Sequence, residues 1–155
     1  MPGAGKSTIG VLLAKYASYN FVDTDLLIQI RQDKSLQHIL DNEGYLLLRK
    51  YEEEILLSLD CTNHIIATGG SAVYSSLAME YLKKDAITIF LDVDLDEIRK
   101  RVKDFDTRGI ARKPGQSFDS LYAERQALYQ KYGDYTINCL NKTKEDIVKE
   151  ICNSI

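Results

Sequence analysis

Apolar positions along this chain switch between two periods, and the switching predicts helices alternating with strands. Ile9, Val11, Leu12, Leu13 and Ala14 recur at helical spacing, which predicts a helix over residues 6–17. Residues 20–25, Asn20-Phe21-Val22-Asp23-Thr24-Asp25, read as a short strand ending in carboxylates, and a helix starts over 26–30. Ser35 suits the N-cap of a helix over 36–42, Gly44 interrupts, and a longer helix follows over 46–59. His64-Ile65-Ile66-Ala67-Thr68 is a strand of the buried type, followed directly by Gly69-Gly70. Residues 72–84 predict a helix whose last turn carries Lys83 and Lys84, the charge its negative end favours. Residues 86–93 form the clearest strand, and Asp94 caps a helix over 95–103. Residues 104–117 are polar, basic and glycine-containing, hence a loop. Ser117 or Asp119 then opens a helix to about residue 132, residues 135–140 give the last strand, and Thr143 caps the final helix.

Strands separated by helices of these lengths imply βαβ units: an α/β fold with a parallel sheet and helices on both faces. No repeat, low-complexity tract or linker divides the chain, so residues 1–155 read as a single domain. The 104–117 stretch is too long and too charged for a tight connection, and loops of that kind serve as lids.

Composition narrows the function classes. At 45% hydrophobic and 28% charged residues, the chain is ordinary for a soluble globular protein. Its net charge is −3 with no long Lys/Arg run, which argues against nucleic acid as a partner. No apolar run reaches the ~18 residues a membrane span needs. Cys61, Cys139 and Cys152 are odd in number and lack C-x-x-C spacing, so they read as reduced thiols of a cytoplasmic protein. His38 and His64 lie far apart, and no Cys/His metal site is expected.

The chemistry starts at the first residue. Met1-Pro2-Gly3-Ala4-Gly5-Lys6-Ser7-Thr8 carries the second half of the phosphate-loop pattern G-x-x-x-x-G-K-[ST]. Backbone N–H groups around Gly3, Ala4 and Gly5 can curl round a phosphate, and the helix from Lys6 points its positive end at the same anion. Lys6 would reach the β- and γ-phosphates, and the Ser7 hydroxyl would ligate Mg²⁺. A plainer reading is a glycine-rich turn ahead of an amphipathic helix. The pattern's first glycine falls one place before Met1, and the strand that feeds the loop falls before that.

Three further groups of residues carry candidate chemistry. Asp23 and Asp25 stand at the carboxyl end of a strand, where ligands of open α/β sheets bind. One can hold Mg²⁺ through water and the other can accept a hydroxyl proton; capping of the next helix would explain Asp25 but not Asp23. Arg49 presents a fork of donors suited to a carboxylate or phosphate, unless it is a solvated arginine paired with Glu52 or Glu53. Arg108, Arg112, Lys113 and Arg125 make the loop and the following helix cationic, as in a lid that closes over phosphates or in a bare basic surface loop.

Together these segments resemble the shikimate kinase family of small P-loop kinases over nearly the whole chain. Phe21-Val22-Asp23-Thr24-Asp25 resembles its paired-aspartate strand. The segment 35–44 followed by Leu48-Arg49-Lys50-Tyr51-Glu52 resembles its G-E-x-x-F-R-x-x-E stretch, with Arg49 five residues after Gly44. Ile66-Ala67-Thr68-Gly69-Gly70-Ser71 resembles its glycine triplet, and Arg125-Gln126-Ala127-Leu128-Tyr129 its R-x-x-L-Y element.

The resemblance implies ATP-dependent phosphorylation of shikimate, with Mg²⁺ and with a monomer as the working unit. It assigns the ATP phosphates to Gly3, Ala4, Gly5, Lys6, Ser7 and Thr8, the metal to Ser7 and Asp23, and the acceptor hydroxyl to Asp25. It assigns the substrate carboxylate to Arg49 and Arg125 beside Gly69 and Gly70, adenine stacking to Arg101, and the transferred phosphate to Arg108, with Arg112 as the competing lid arginine. The departures are Ser71 for the third glycine, Tyr45 for a common glutamate, Leu48 for a common phenylalanine, and a lid without the usual Arg-Pro-Leu. They leave a different small hydroxy-acid as the alternative acceptor. A nucleotide-binding relic without turnover and a nucleoside monophosphate kinase are the competing classes.

The family's sheet has five parallel strands in the order 2-3-1-4-5, with the strand before the loop in the centre. The sequence therefore leads us to expect a gap between the strands near 64–68 and 86–93. Each backbone group left buried and unpaired there would cost ~1–3 kcal/mol.

Overall fold

Side-chain caps decide where most of the helices begin in the computed structural model, which describes residues 1–102, 105 and 109–155. Ser35 accepts the His38 N–H at the head of α3 (Leu36–Glu43), and Asp94 accepts the Asp96 N–H at the head of α6 (Leu95–Arg101). Ser117 caps α7 (Phe118–Tyr132), and Thr143 with Asp146 forms a reciprocal capping box on α8 (Lys144–Ser154). Two helices start at glycine instead. Gly5 (φ 91°) precedes α1 (Lys6–Ala17) and Gly44 (φ 86°) precedes α4 (Tyr45–Leu57), both in backbone geometry that a Cβ would strain.

The strands expected over 86–93 and 135–140 shorten to Ile89–Asp92 and Tyr135–Asn138, and two further elements differ for physical reasons. The first strand, β1, covers only Asn20–Asp23, because Asp23 and not Asp25 is the cap of α2 (Thr24–Gln32); its Oδ1 accepts the Asp25 N–H at 3.0 Å. The helix expected over 72–84 is broken into a 3₁₀ turn, Ala72–Tyr74, and α5 (Ser76–Leu82). Ser75 adopts extended angles there (φ −91°, ψ 103°) and turns its hydroxyl to the Ala78 N–H, so a new helix starts.

The strands β1, β2 (His64–Ala67), β3 (Ile89–Asp92) and β4 (Tyr135–Asn138) pair in parallel as β1-β2 and β3-β4, with Phe21 opposite Ile65 and Phe90 opposite Thr136. No ladder joins β2 to β3 among the described residues. Helices cover both faces. Alternation along β3 sends Ile89 and Leu91 into a cluster with Ile9 and Leu13 of α1 and Ile147, Val148 and Ile151 of α8, while Phe90 stacks on Tyr129 of α7 at 5.3 Å. A second cluster joins α2, α3 and α4 through Ile28, Ile39, Leu48 and Ile55, and Ala111 of the loop packs into it.

The loop of residues 1–5 seats at the carboxyl ends of both strand pairs. Pro2 lies against Gly70 after β2, and Gly3 lies against Val102 and Ile98 of α6, which follows β3. That is where parallel α/β sheets place their ligands. No helix among the described residues is long and apolar enough to cross a membrane, and the three cysteines are free thiols.

Candidate active site

The phosphate-loop residues are close to the conformation the motif requires. Gly3 and Gly5 hold left-handed φ angles of 77° and 91°, Ala4 is buried and donates its N–H to the Met1 carbonyl at 3.2 Å, and Ser7 and Thr8 stand exposed in the first turn of α1. Lys6 folds back so that Nζ donates to the Met1 carbonyl at 3.2 Å. Burial pushes its ammonium below the ordinary value, the Asp25 carboxylate opposes that, and Arg125 adds to it.

Opposite the loop stand the paired aspartates. Ser7 Oγ donates to Asp23 Oδ2 at 2.5 Å, so two hard oxygen ligands converge at one point beside the phosphate loop. Asp25, in the first turn of α2, faces inward, and burial pushes its carboxyl above the ordinary carboxylate range; Lys6 opposes this and Asp23 reinforces it. Gly69 is fixed beside it by a 3.1 Å hydrogen bond from its N–H to the buried Thr24 hydroxyl. A Cβ at Gly69 would stand 2.7 Å from Asp25 Oδ1 and 1.9 Å from Glu52 Oε1, so both carboxylates occupy the space that a side chain would take.

Two of the predicted arginines, Arg49 and Arg125, gather at the Tyr74 ring. Arg125 is 1% exposed; Nη2 donates to the Ala111 carbonyl at 2.7 Å, and Nη1 would lie 2.9 Å from a Cβ at Gly70. The Tyr129 hydroxyl donates to the Gly70 carbonyl at 2.6 Å and locks that glycine to the same helix. Gln126 donates to Asp92 at 2.8 Å and Tyr122 to the Val93 carbonyl at 3.0 Å, which ties α7 to the end of β3. Arg49 pairs with neither Glu52 nor Glu53. Glu52 accepts from Ser71 and Glu53 from Ser75, while the Arg49 guanidinium lies 3.5 Å from the Tyr74 ring centroid and 5.1 Å from that of Tyr45.

Arg101, exposed at the end of α6, lies apart from these. It reaches the Gly3 carbonyl at 3.5 Å and lines a cavity of about 240 Å³ with Val93, Asp94, Cys139 and Leu140. Arg108 lies outside the described residues, as does part of the 104–117 stretch. Arg112 Nη1 donates to the Gln116 carbonyl at 2.9 Å.

Glu52 abuts the Gly69 position and Tyr74 abuts Arg49, places in the candidate site that sequence reasoning assigned to neither. A signal for Glu52 is present: it sits on the buried stripe Leu48, Glu52, Ile55, Leu56, where a charge has no structural reason to be. Arg125 stands in the same way on the stripe Leu121, Arg125, Tyr132. Tyr74 carries no such signal.

A glycine loop heading a helix at the carboxyl ends of parallel strands, faced by an aspartate pair and two inward arginines, defines a P-loop phosphotransferase. Residues 2–155 match the family model described as shikimate kinase, and the chain belongs to the shikimate kinase family. It is 32% identical to shikimate kinase of Bacillus mycoides over 99% of this chain and 93% of that protein. The fold is similar to shikimate kinase from Acinetobacter baumannii in complex with shikimate, with a TM-score of 0.87, 27% identity, and coverage of 98% of this chain and 87% of that one. It is also similar to shikimate kinase from Aquifex aeolicus, with a TM-score of 0.84, 32% identity, and coverage of 98% and 90%.

Proposed function

We propose that this protein transfers the γ-phosphoryl group of ATP to a hydroxyl of shikimate. One observation carries the reading: Asp25 is within electrostatic reach of Lys6 on the phosphate side and touches the Gly69 position on the arginine side. A single carboxylate thus stands between a phosphate site and an acid site, where an acceptor hydroxyl must lie.

The roles follow from position. The N–H groups of Gly3 and residues 5–8 and the Lys6 ammonium bind the phosphates, with Ala4, whose N–H is held by the Met1 carbonyl, shaping the loop around them; Lys6 moves its charge from the Met1 carbonyl to the transferring group. Asp25 orients the acceptor hydroxyl and takes its proton, and its raised affinity for protons suits it as the base. Arg49 and Arg125 hold the substrate carboxylate, with Gly69 and Gly70 leaving room for it against the backbone. Arg101 stacks on the adenine, and the basic segment with Arg108 and Arg112 covers the phosphates. The oxygens of Ser7 and Asp23 fit Mg²⁺, which keeps substrate phosphates and waters among its ligands. When bound, the ion neutralises charge on the phosphates.

A coupled ADP-release assay with purified protein, ATP, Mg²⁺ and a panel of hydroxy-acids tests this. ADP release that depends on shikimate is expected. Release with a different acid and not with shikimate would replace the acceptor, and no release with any acid would remove the kinase assignment.

A further inference from the structure

We propose that Tyr74 is a positioning residue for the acid substrate: its ring face holds Arg49 and Arg125 while leaving their N–H donors open to the substrate carboxylate. This rests on the reading that the two arginines bind an acid.

Both guanidiniums gather at one ring. Arg49 Cζ lies 3.5 Å from the Tyr74 centroid and Arg125 Cζ 5.6 Å from it, within the range of cation–π attraction. Tyr45, one turn before Arg49 on α4, adds a second ring at 5.1 Å. Neither guanidinium reaches ion-pair distance of a carboxylate among the described residues, although Glu52 and Asp25 act on Arg125 through space. Nε and Nη2 of Arg49 and Nε of Arg125 are buried without a hydrogen-bond partner. A cavity of about 300 Å³, lined by Arg49, Glu52, Ser71 and Tyr74 among others, opens beside Arg49.

The choice of partner matters chemically. A carboxylate neutralises an arginine by accepting from its in-plane N–H groups, and so consumes the donors a substrate needs. An aromatic face attracts the cation from above that plane and takes none of them. Tyr74 is well placed for this. It ends the 3₁₀ turn behind the glycine pair, its N–H donates to the Ser71 carbonyl at 3.0 Å, and Ala72 and Val73 of that turn are buried. The backbone from which the ring projects is therefore held in place beside the two arginines.

Steady-state kinetics with shikimate and ATP test the idea. Tyr74→Leu keeps the bulk and removes the π face; it is expected to raise KM for shikimate about tenfold, with kcat and KM for ATP within about twofold. Tyr74→Phe restores KM for shikimate. Phenylalanines carrying one, two and three ring fluorines at position 74 keep the shape, so they decide the matter even where Tyr74→Leu does not fold. Their KM for shikimate is expected to climb with each fluorine. A flat fluorine series, or a Tyr74→Leu variant that loses acid affinity, ATP affinity and turnover together, would overturn the proposal. If the wild type does not turn over shikimate, the proposed function itself fails and this inference with it; if it does and the fluorine series is flat, the inference alone fails.

Discussion

The Ser71 hydroxyl donates a hydrogen bond to the Glu52 carboxylate inside the core. Glu52 is 4% exposed and Ser71 6%, and the pair abuts the Gly69 position, where Asp25 approaches from the other side. Position 71 is one where the family pattern has its third glycine, so this chain adds a hydroxyl at the carboxylate cluster. The second-strand glycines, the long helix α4 and the first aspartate helix meet at that one point.

Burial raises the Glu52 pKa to about 7; the Ser71 hydrogen bond opposes the rise and the Asp25 charge adds to it. Its ordinary value is 4.5, so the folded protein holds this proton more tightly than the unfolded chain. The stability from that proton is fully present below pH 4.5 and is lost as pH rises through about 7. The loss is on the order of 3 kcal/mol, or roughly 6–12 °C in melting temperature. Thermal melts of wild type and Glu52→Gln between pH 4.5 and 8 are expected to diverge in that sense, with the wild type losing ground as pH rises. Parallel curves would show that Glu52 ionises as an ordinary surface carboxylate does.

Gly69→Ala puts a methyl where Glu52 Oε1 and Asp25 Oδ1 now sit. The atoms that must move are the ends of two side chains and not backbone. The variant is therefore expected to fold, with a stability loss of about 1–3 kcal/mol. The displaced carboxylates are the proposed base, Asp25, and its neighbour, so kcat is expected to fall about 100-fold. Chemical denaturation alongside kinetics separates the two effects, and full activity in Gly69→Ala would show that neither carboxylate needs its present place.

Arg49→Ala removes donors from the proposed acid site. KM for shikimate is expected to rise about 10- to 100-fold, the cost of hydrogen bonds to a charged group, while KM for ATP stays near the wild-type value. Equal losses for both substrates would mean that Arg49 acts on the fold and not on the acid.

Local signals made much of the fold readable. Ser35, Asp94, Ser117 and Thr143 announce their helices because a side-chain oxygen satisfies N–H groups only a few residues away. Asp23 misled for the same reason: Asp25 has equal capping chemistry, and only the end of the β1 ladder decides between them. Arg49 was visible as a forked donor, but its surroundings were not. At i+3, Glu52 looks like its partner on a helix surface, whereas the packing of α4 turns Glu52 inward to Ser71, 19 residues away. Tyr74 belongs to a different segment from either arginine, so no spacing rule connects them. Long-range packing carries that part of the site.

Lys6 offers the sharpest test of the opening motif. Its ammonium is buried and pushed below its ordinary value, so a phosphate would replace a weak carbonyl contact with a full charge partner. Lys6→Ala removes that charge without disturbing the backbone N–H groups of the loop, which are fixed by Gly3 and Gly5. Nucleotide should still bind weakly, and kcat is expected to fall about 10²–10³-fold, the loss typical of one preorganised donor at a transition state. Lys6→Arg is not expected to rescue it. A planar fork is larger than an ammonium, and Nζ sits inside the loop, 3.2 Å from the Met1 carbonyl. Undiminished turnover in Lys6→Ala would remove Lys6 from the chemistry and leave the phosphates to the backbone N–H groups of the loop.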